Sequence, residues 1–226
     1  MNYVNLFTSP ELLGMIGGTF ALAFGSAFIA TVLGTIGAIG AFYSRKTPSR
    51  LIGLANQVPV VNADVVTGFS ICVLLIVVLG INKDTFVPLV IGHVALASPF
   101  VYLSVVPKLK QMDNSIYEAA LDLGANARQA LFKVVIPQLI PGIISGFLLA
   151  VTLSLDDYFI TTYTKPATFD TISTYVVNAT KGSHTETKTA LWALSTVIFV
   201  VILGVVIGGN VLSGRKAGAK NEKNNL

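Results

Sequence analysis

Five stretches of this chain carry no Asp, Glu, Lys or Arg: Leu12 to Ser44, Val65 to Asn82, Thr85 to Pro107, Val134 to Leu155, and Thr189 to Gly214. No other feature constrains the fold as strongly. A helix that crosses a bilayer needs about 20 mostly apolar residues, and only helices and closed barrels satisfy their own backbone inside lipid. Hydrophobic residues make up 53% of the 226 and charged residues 12%, about half the charged share of roughly 25% in soluble proteins. A soluble enzyme, a disordered chain and a nucleic-acid-binding arm are all excluded on this ground. The expectation is an all-α bundle of five spans, near 17–43, 60–81, 86–107, 138–162 and 190–212, forming one transmembrane domain over 1–226. The first stretch is too long for a signal peptide and lacks a basic start.

The net charge of +4 reads as topology rather than as a nucleic-acid footprint. Eleven of the 15 Lys and Arg residues fall on one set of connections: Arg45, Lys46, Arg50, then Lys108, Lys110, Arg128, Lys133, then Arg215, Lys216, Lys220, Lys223. Lys83, Lys165, Lys181 and Lys188 fall on the other. The richer side is expected to be cytoplasmic. That puts the N-terminus outside, the loop 108–137 inside and a disordered tail 213–226 inside. Gly14–Gly18 and Gly204–Gly208 have the small-xxx-small spacing of closely packed spans. The single cysteine, Cys72, makes neither an intrachain disulfide nor a zinc cluster, and no metal site is expected.

The loop 108–137 carries the most specific pattern. Ser115 and Glu118 have capping-box spacing, predicting a short helix from Ile116 to Leu123. Gly124 supplies a left-handed residue to end it. Asn126 and Gln129 repeat the capping spacing, predicting a second short helix to about Val135, with Pro137 ending it or opening the next span. Glu118-Ala119-Ala120, Gly124 and Pro137 resemble the EAA loop of binding-protein-dependent ABC importer permeases: the EAA triplet, a Gly four residues after the second Ala, and a Pro closing a 20-position motif. Val134 and Ile136 stand where that family has Ile and Leu.

The resemblance extends along the chain. Ser154-Leu155-Asp156-Asp157-Tyr158 with Thr161-Thr162-Tyr163 is similar to a span of the spermidine/putrescine permeases, and Val58 to Val65 is similar to their S-P-D-I-V segment. The family has six spans and starts inside the cell. Met1 to Leu6 resembles the end of the outer loop that follows its first helix, so five spans are expected here. The resemblance implies the ABC importer permease fold and a multi-pass place in the bacterial inner membrane. It also implies that Glu118, Ala119, Ala120, Gly124 and Pro137 couple to an ATP-binding subunit, present in two copies. A second permease subunit forming a heterodimer and an external solute-binding protein complete the expected partners, with spermidine and putrescine as solutes. ATP would be bound by the partner subunit and no cofactor by this chain, which has no Walker A sequence.

Charges inside a bilayer are expensive and ask for a reason. Asp156 and Asp157, with Tyr158 beside them, are candidates for a cation path, since carboxylates and aromatic faces both attract ammonium groups. Asp64 is a further candidate, or else it or Asn62 caps a helix. His93 reads as a packed, hydrogen-bonded residue. Two alternatives remain open: an importer for another small solute, and an intramembrane aspartyl hydrolase pairing Asp64 with Asp156 or Asp157. Neither the Tyr-Asp nor the Gly-x-Gly-Asp signature of such hydrolases is present.

Overall fold

A computed structural model describes residues 10–181 and six single helical positions between 196 and 208. Among the described residues all regular structure is helical. In chain order these are α1 (Pro10–Tyr43), α2 (Lys46–Val61), α3 (Asp64–Val78), α4 (Val87–Gln111), α5 (Asn114–Asp122), α6 (Ala127–Asp156), α7 (Phe159–Thr164) and α8 (Ile172–Lys181). Three helices are long and apolar enough to cross a membrane: Leu13–Tyr43 of α1, α4, and α6. Several hydroxyl groups in these apolar helices bond back one turn, although the buried Thr35 Oγ1 of α1 has no such partner. Thr19 donates to the Met15 carbonyl (2.8 Å), Thr31 to Ala27 (2.7 Å) and Thr152 to Leu148 (2.9 Å).

The centre of the bundle is α1, α4 and α6 packed on one another. Small residues recur along α1 at helical spacing, and Ala23, Ala27, Ala30, Gly34, Ala38 and Ala41 are all buried. This stripe lets the backbone of α4 come close, as small residues do between spans. A Cβ on Gly34 would lie 2.7 Å from both the Ser98 carbonyl oxygen and the Val101 Cβ. Gly142 and Gly146 of α6 approach Ser104 and Val101 of α4 in the same way. The close contacts expected at Gly14–Gly18 are not of this kind. Gly18 makes room for the Phe169 ring, and nothing lies within 4 Å of a Cβ at Gly14.

The spans depart from their expected limits, two of them in ways that shape the site. The expected 60–81 span is broken: its first residues end α2, and α3 leaves at 110° to it. Pro59 lies inside the last turn of α2 and removes a backbone donor there. Asn62 and Ala63 then take extended conformations (ψ 148° and 138°). Helix α3 is about 22 Å long at 1.5 Å per residue, so on its own it falls short of a hydrocarbon core of roughly 30 Å. It ends in a wide π-type turn, Val73–Val78. The α2–α3 pair together has the length and apolarity of a fourth span, bent as a broken span or a re-entrant loop would be.

The expected 138–162 span starts earlier and stops earlier. It is continuous with the second loop helix, so α6 begins at Ala127 and ends at Asp156. A π-type turn at Leu131–Val135 joins the two parts. Pro137 and Pro141 lack the N–H that regular pairing needs, and the wider turn absorbs part of that defect. Likewise α4 runs on to Gln111, so the loop expected from 108 is helical at its start. The expected 190–212 span and the 213–226 tail lie outside the continuously described residues.

Candidate functional site

The loop between α4 and α6 folds as a helix–elbow–helix. Its first cap is Asp113 rather than Ser115: the Asp113 carboxylate accepts the Ser115 N–H at 2.9 Å. That bond holds the Asp113 carboxyl below its ordinary value of 3.8. Helix α5 ends in a Schellman arrangement around Gly124, whose φ is +85°. The Ala125 N–H bonds the Ala120 carbonyl (3.0 Å), and the Gly124 N–H bonds that of Leu121 (2.9 Å). The next helix opens on the reciprocal box: Gln129 N–H to Asn126 Oδ1 at 2.9 Å, and Asn126 N–H to Gln129 Oε1 at 3.1 Å. Tyr117 packs its ring 5.3 Å from that of Tyr43, tying α5 to the end of α1. Glu118, Ala119, Gly124 and Pro137 are exposed and Ala120 is half-buried. Leu123, at 89% exposure, stands out at the elbow.

Asp64, Asp156, Asp157 and Tyr158 come together elsewhere. They line one cavity of about 340 Å³ with Leu96, Phe100, Thr152, Leu153 and Phe159. This volume falls in the range of small-molecule sites. The break between α2 and α3 sets Asp64 in the first turn of α3; neither it nor Asn62 serves as the cap, which is Ala63. The end of α6 supplies Thr152, Leu153 and Asp156, and α4 supplies Leu96 and Phe100. Asp64 and Asp156 are exposed, and among the described residues neither carboxylate has a hydrogen-bond or ion-pair partner. Leu96, Phe100 and Thr152 carry no signal in sequence, being ordinary residues on helices, whereas Phe159 follows closely on the aspartate pair.

Asp157 borders the same cavity, but its carboxylate is turned inward. It is buried and caps α7: its carboxylate accepts the N–H groups of Ile160 (3.3 Å) and Thr161 (2.7 Å) and the Thr161 hydroxyl (2.8 Å). Fully buried His93 lies next to it, its Nε2 3.0 Å from Thr161 Oγ1 and 3.8 Å from Asp157 Oδ2. His93 Nδ1 contacts Ser154 Oγ at 2.7 Å, and Ser154 Oγ contacts Ser26 Oγ at 3.2 Å. Ser26 donates to the Leu22 carbonyl at 2.7 Å. One polar chain therefore links α1, α6, α4 and α7 through an otherwise apolar interior. Ile160, between Asp157 and this chain, is gripped by Gly68 and Gly92; a Cβ there would lie 3.1 Å and 2.6 Å from it.

Residues 30–215 match the family described as "Binding-protein-dependent transport system inner membrane component". The spermidine/putrescine transport system permease protein PotC of Haemophilus influenzae is 28% identical over 205 residues, 91% of this chain and 78% of that protein. The putrescine transport system permease protein PotI of Escherichia coli K12 is 32% identical over 166 residues, 71% of this chain and 59% of that protein. A solved structure of the MetNI methionine ABC transporter, in inward-facing conformations, shares the fold at a TM-score of 0.72 and 14% identity, covering 92% of this chain and 99% of that one.

Proposed function

The chain belongs to the binding-protein-dependent transport system inner membrane components and is a permease subunit of an ABC importer, and from that premise we propose that its solutes are the polyamines spermidine and putrescine. The observation that carries this reading is the cavity at the α2–α3 break. Two exposed carboxylates, Asp64 and Asp156, share it with the rings of Phe100, Tyr158 and Phe159. Carboxylates bind ammonium groups by charge-assisted hydrogen bonds, and aromatic faces add cation–π attraction. A flexible polyamine can meet both at once; Asp157 borders the same cavity, but its carboxylate is buried and bonded to the start of α7. The two relatives above, named as polyamine permeases, support the same solute class. Family membership leaves the hydrolase reading of these aspartates without support.

The elbow is the proposed contact with the ATPase. Glu118, Ala119 and Ala120 lie on α5, Gly124 turns the chain, and Pro137 stands where α6 regains its regular form. A rigid capped elbow with an exposed Leu123 is suited to seating in a groove on a partner, and α6 connects it without interruption to Asp156. ATP is bound by that partner, in two copies, and not by this chain. A second, different permease subunit and an external binding protein complete the complex in the bacterial inner membrane. The N-terminus of the chain lies outside and the C-terminus inside.

The test is uptake of labelled spermidine and putrescine by vesicles holding the assembled complex, with unlabelled polyamines and neutral or anionic solutes as competitors. Saturable uptake blocked only by polyamines is the expected result. Uptake that polyamines leave untouched, while another solute competes, would refute the assignment.

A further inference from the structure

The two adjacent aspartates at the end of α6 have opposite surroundings. Asp156 opens on the cavity, whereas Asp157 ends a buried polar network whose hydrogens can be counted. From the Leu22 carbonyl to the Asp157 carboxylate this network has five contacts: Leu22–Ser26 (2.7 Å), Ser26–Ser154 (3.2 Å), Ser154–His93 (2.7 Å), His93–Thr161 (3.0 Å) and Thr161–Asp157 (2.8 Å). Each contact needs one hydrogen. The carbonyl at one end and an ionised carboxylate at the other bring none. The three hydroxyls bring one each and a neutral imidazole brings one. Four hydrogens cannot fill five contacts. The shortfall would leave two lone pairs facing each other in a buried network, a costly defect.

It would also leave the pair with one uncompensated negative charge among apolar helices, which is expensive in a membrane. One added hydrogen cures both faults. Whether it resides on the second imidazole nitrogen or on the carboxyl, the His93–Asp157 pair is then neutral as a whole. Asp156, one residue earlier, is exposed in the cavity and has no such partner among the described residues.

We propose that His93 and Asp157 hold one proton between them as a net-neutral internal pair, and that Asp156 and Asp64 are the carboxylates that meet a cationic solute in the cavity. Asp157 and His93 are then positioning residues. They pin α7 against α4 and hold the break at Asp157 that turns Asp156 outward. The transport consequence rests on the polyamine reading; the pairing does not.

The experiment uses the assembled complex in vesicles and in detergent, with Asp64→Asn, Asp156→Asn, Asp157→Asn, His93→Gln and the double variant His93→Gln/Asp157→Asn. KM and maximal rate for labelled putrescine are measured per assembled complex, together with the thermal midpoint. Asp156→Asn and Asp64→Asn should each raise KM about tenfold, the loss of one charge-assisted bond. Asp157→Asn and His93→Gln should hold KM within about twofold while lowering maximal rate and thermal midpoint. The double variant should fall well short of the sum of the two midpoint losses, because the partners act as a unit. A KM rise in Asp157→Asn equal to that of Asp156→Asn, at an unchanged midpoint, overturns the proposal. So do additive midpoint losses. If no Asp→Asn change moves KM, it is the polyamine reading that falls, and the midpoint cycle alone decides the pair: coupled losses uphold it and additive losses refute it.

Discussion

Replacing Gly34 by alanine adds a single methyl at the tightest point between α1 and α4. The new Cβ would lie 2.7 Å from the Ser98 carbonyl oxygen and 2.7 Å from the Val101 Cβ. Neither atom is the free end of a flexible side chain, so the helices themselves must part. Ordinary contact begins near 3.4 Å, which requires a separation of roughly 0.7 Å. A gap of that size forfeits about a quarter to a half of the dispersion well of every atom pair along the face. Overpacking of this kind costs about 1–3 kcal/mol, and the backbone contact places Gly34→Ala near 2 kcal/mol. For a chain of this size the thermal midpoint should fall by about 4–8 °C. Gly37→Ala is the control, one turn away on the same helix. Its Cβ would be 3.8 Å from the nearest atom, Tyr102 Cδ2, an ordinary contact. Alanine is the better helix former by about 1 kcal/mol, so this variant should match or exceed the wild-type midpoint. The assay is thermal unfolding of the detergent-solubilised complex, followed by loss of the monodisperse peak. Equal midpoints for the two variants would refute the argument that this helix pair is set by backbone contact at Gly34.

Three further outcomes are expected. Gly124→Ala must place a side chain at φ +85°, at a cost of about 1–2 kcal/mol; it and Glu118→Arg should lower uptake per ATP hydrolysed while membrane insertion stays normal, and unchanged coupling ratios in both would remove the elbow from the ATPase contact. In a Cys72→Ser background, Lys83→Cys and Ala167→Cys should label with an impermeant thiol reagent from outside, and Thr47→Cys and Arg128→Cys only after permeabilisation; labelling of position 128 from outside would invert the proposed orientation. The Asp113 cap favours its ionised form, so the cap should hold above the ordinary carboxylate value of 3.8 and be lost only as pH falls through the lowered one. Slow hydrogen exchange of the Ser115 amide should follow that course, and Asp113→Ala should abolish the protection at every pH; protection that persists in the alanine variant would show that the cap is not what holds the first turn.

What could be read from the sequence is what a few neighbouring residues decide among themselves. Long uncharged stretches must span, whatever they pack against, since no other backbone arrangement is satisfied in lipid. Gly124 must end α5, and Asn126 must pair with Gln129, because both geometries close within one helical turn. Even there the first cap fell to Asp113 rather than Ser115, two near neighbours with only the local backbone to choose between them. The tertiary structure decided everything that depends on distant partners. The 60–81 stretch looks like one apolar run, yet α2 and α3 part at Asn62–Ala63, and only that turn brings Asp64 to the cavity wall with Asp156. Asp156 and Asp157 are chemically identical neighbours. One becomes a cavity carboxylate and the other an internal partner because His93, far away in the sequence, reaches Thr161 and Asp157 across α4 and α7. Gly34 and Gly37 are likewise indistinguishable as letters; α4 passes against the backbone of the first and leaves room at the second. Hydropathy and capping act along the chain, whereas burial, proton sharing and close contact act between helices, so no reading of spacing alone could assign them.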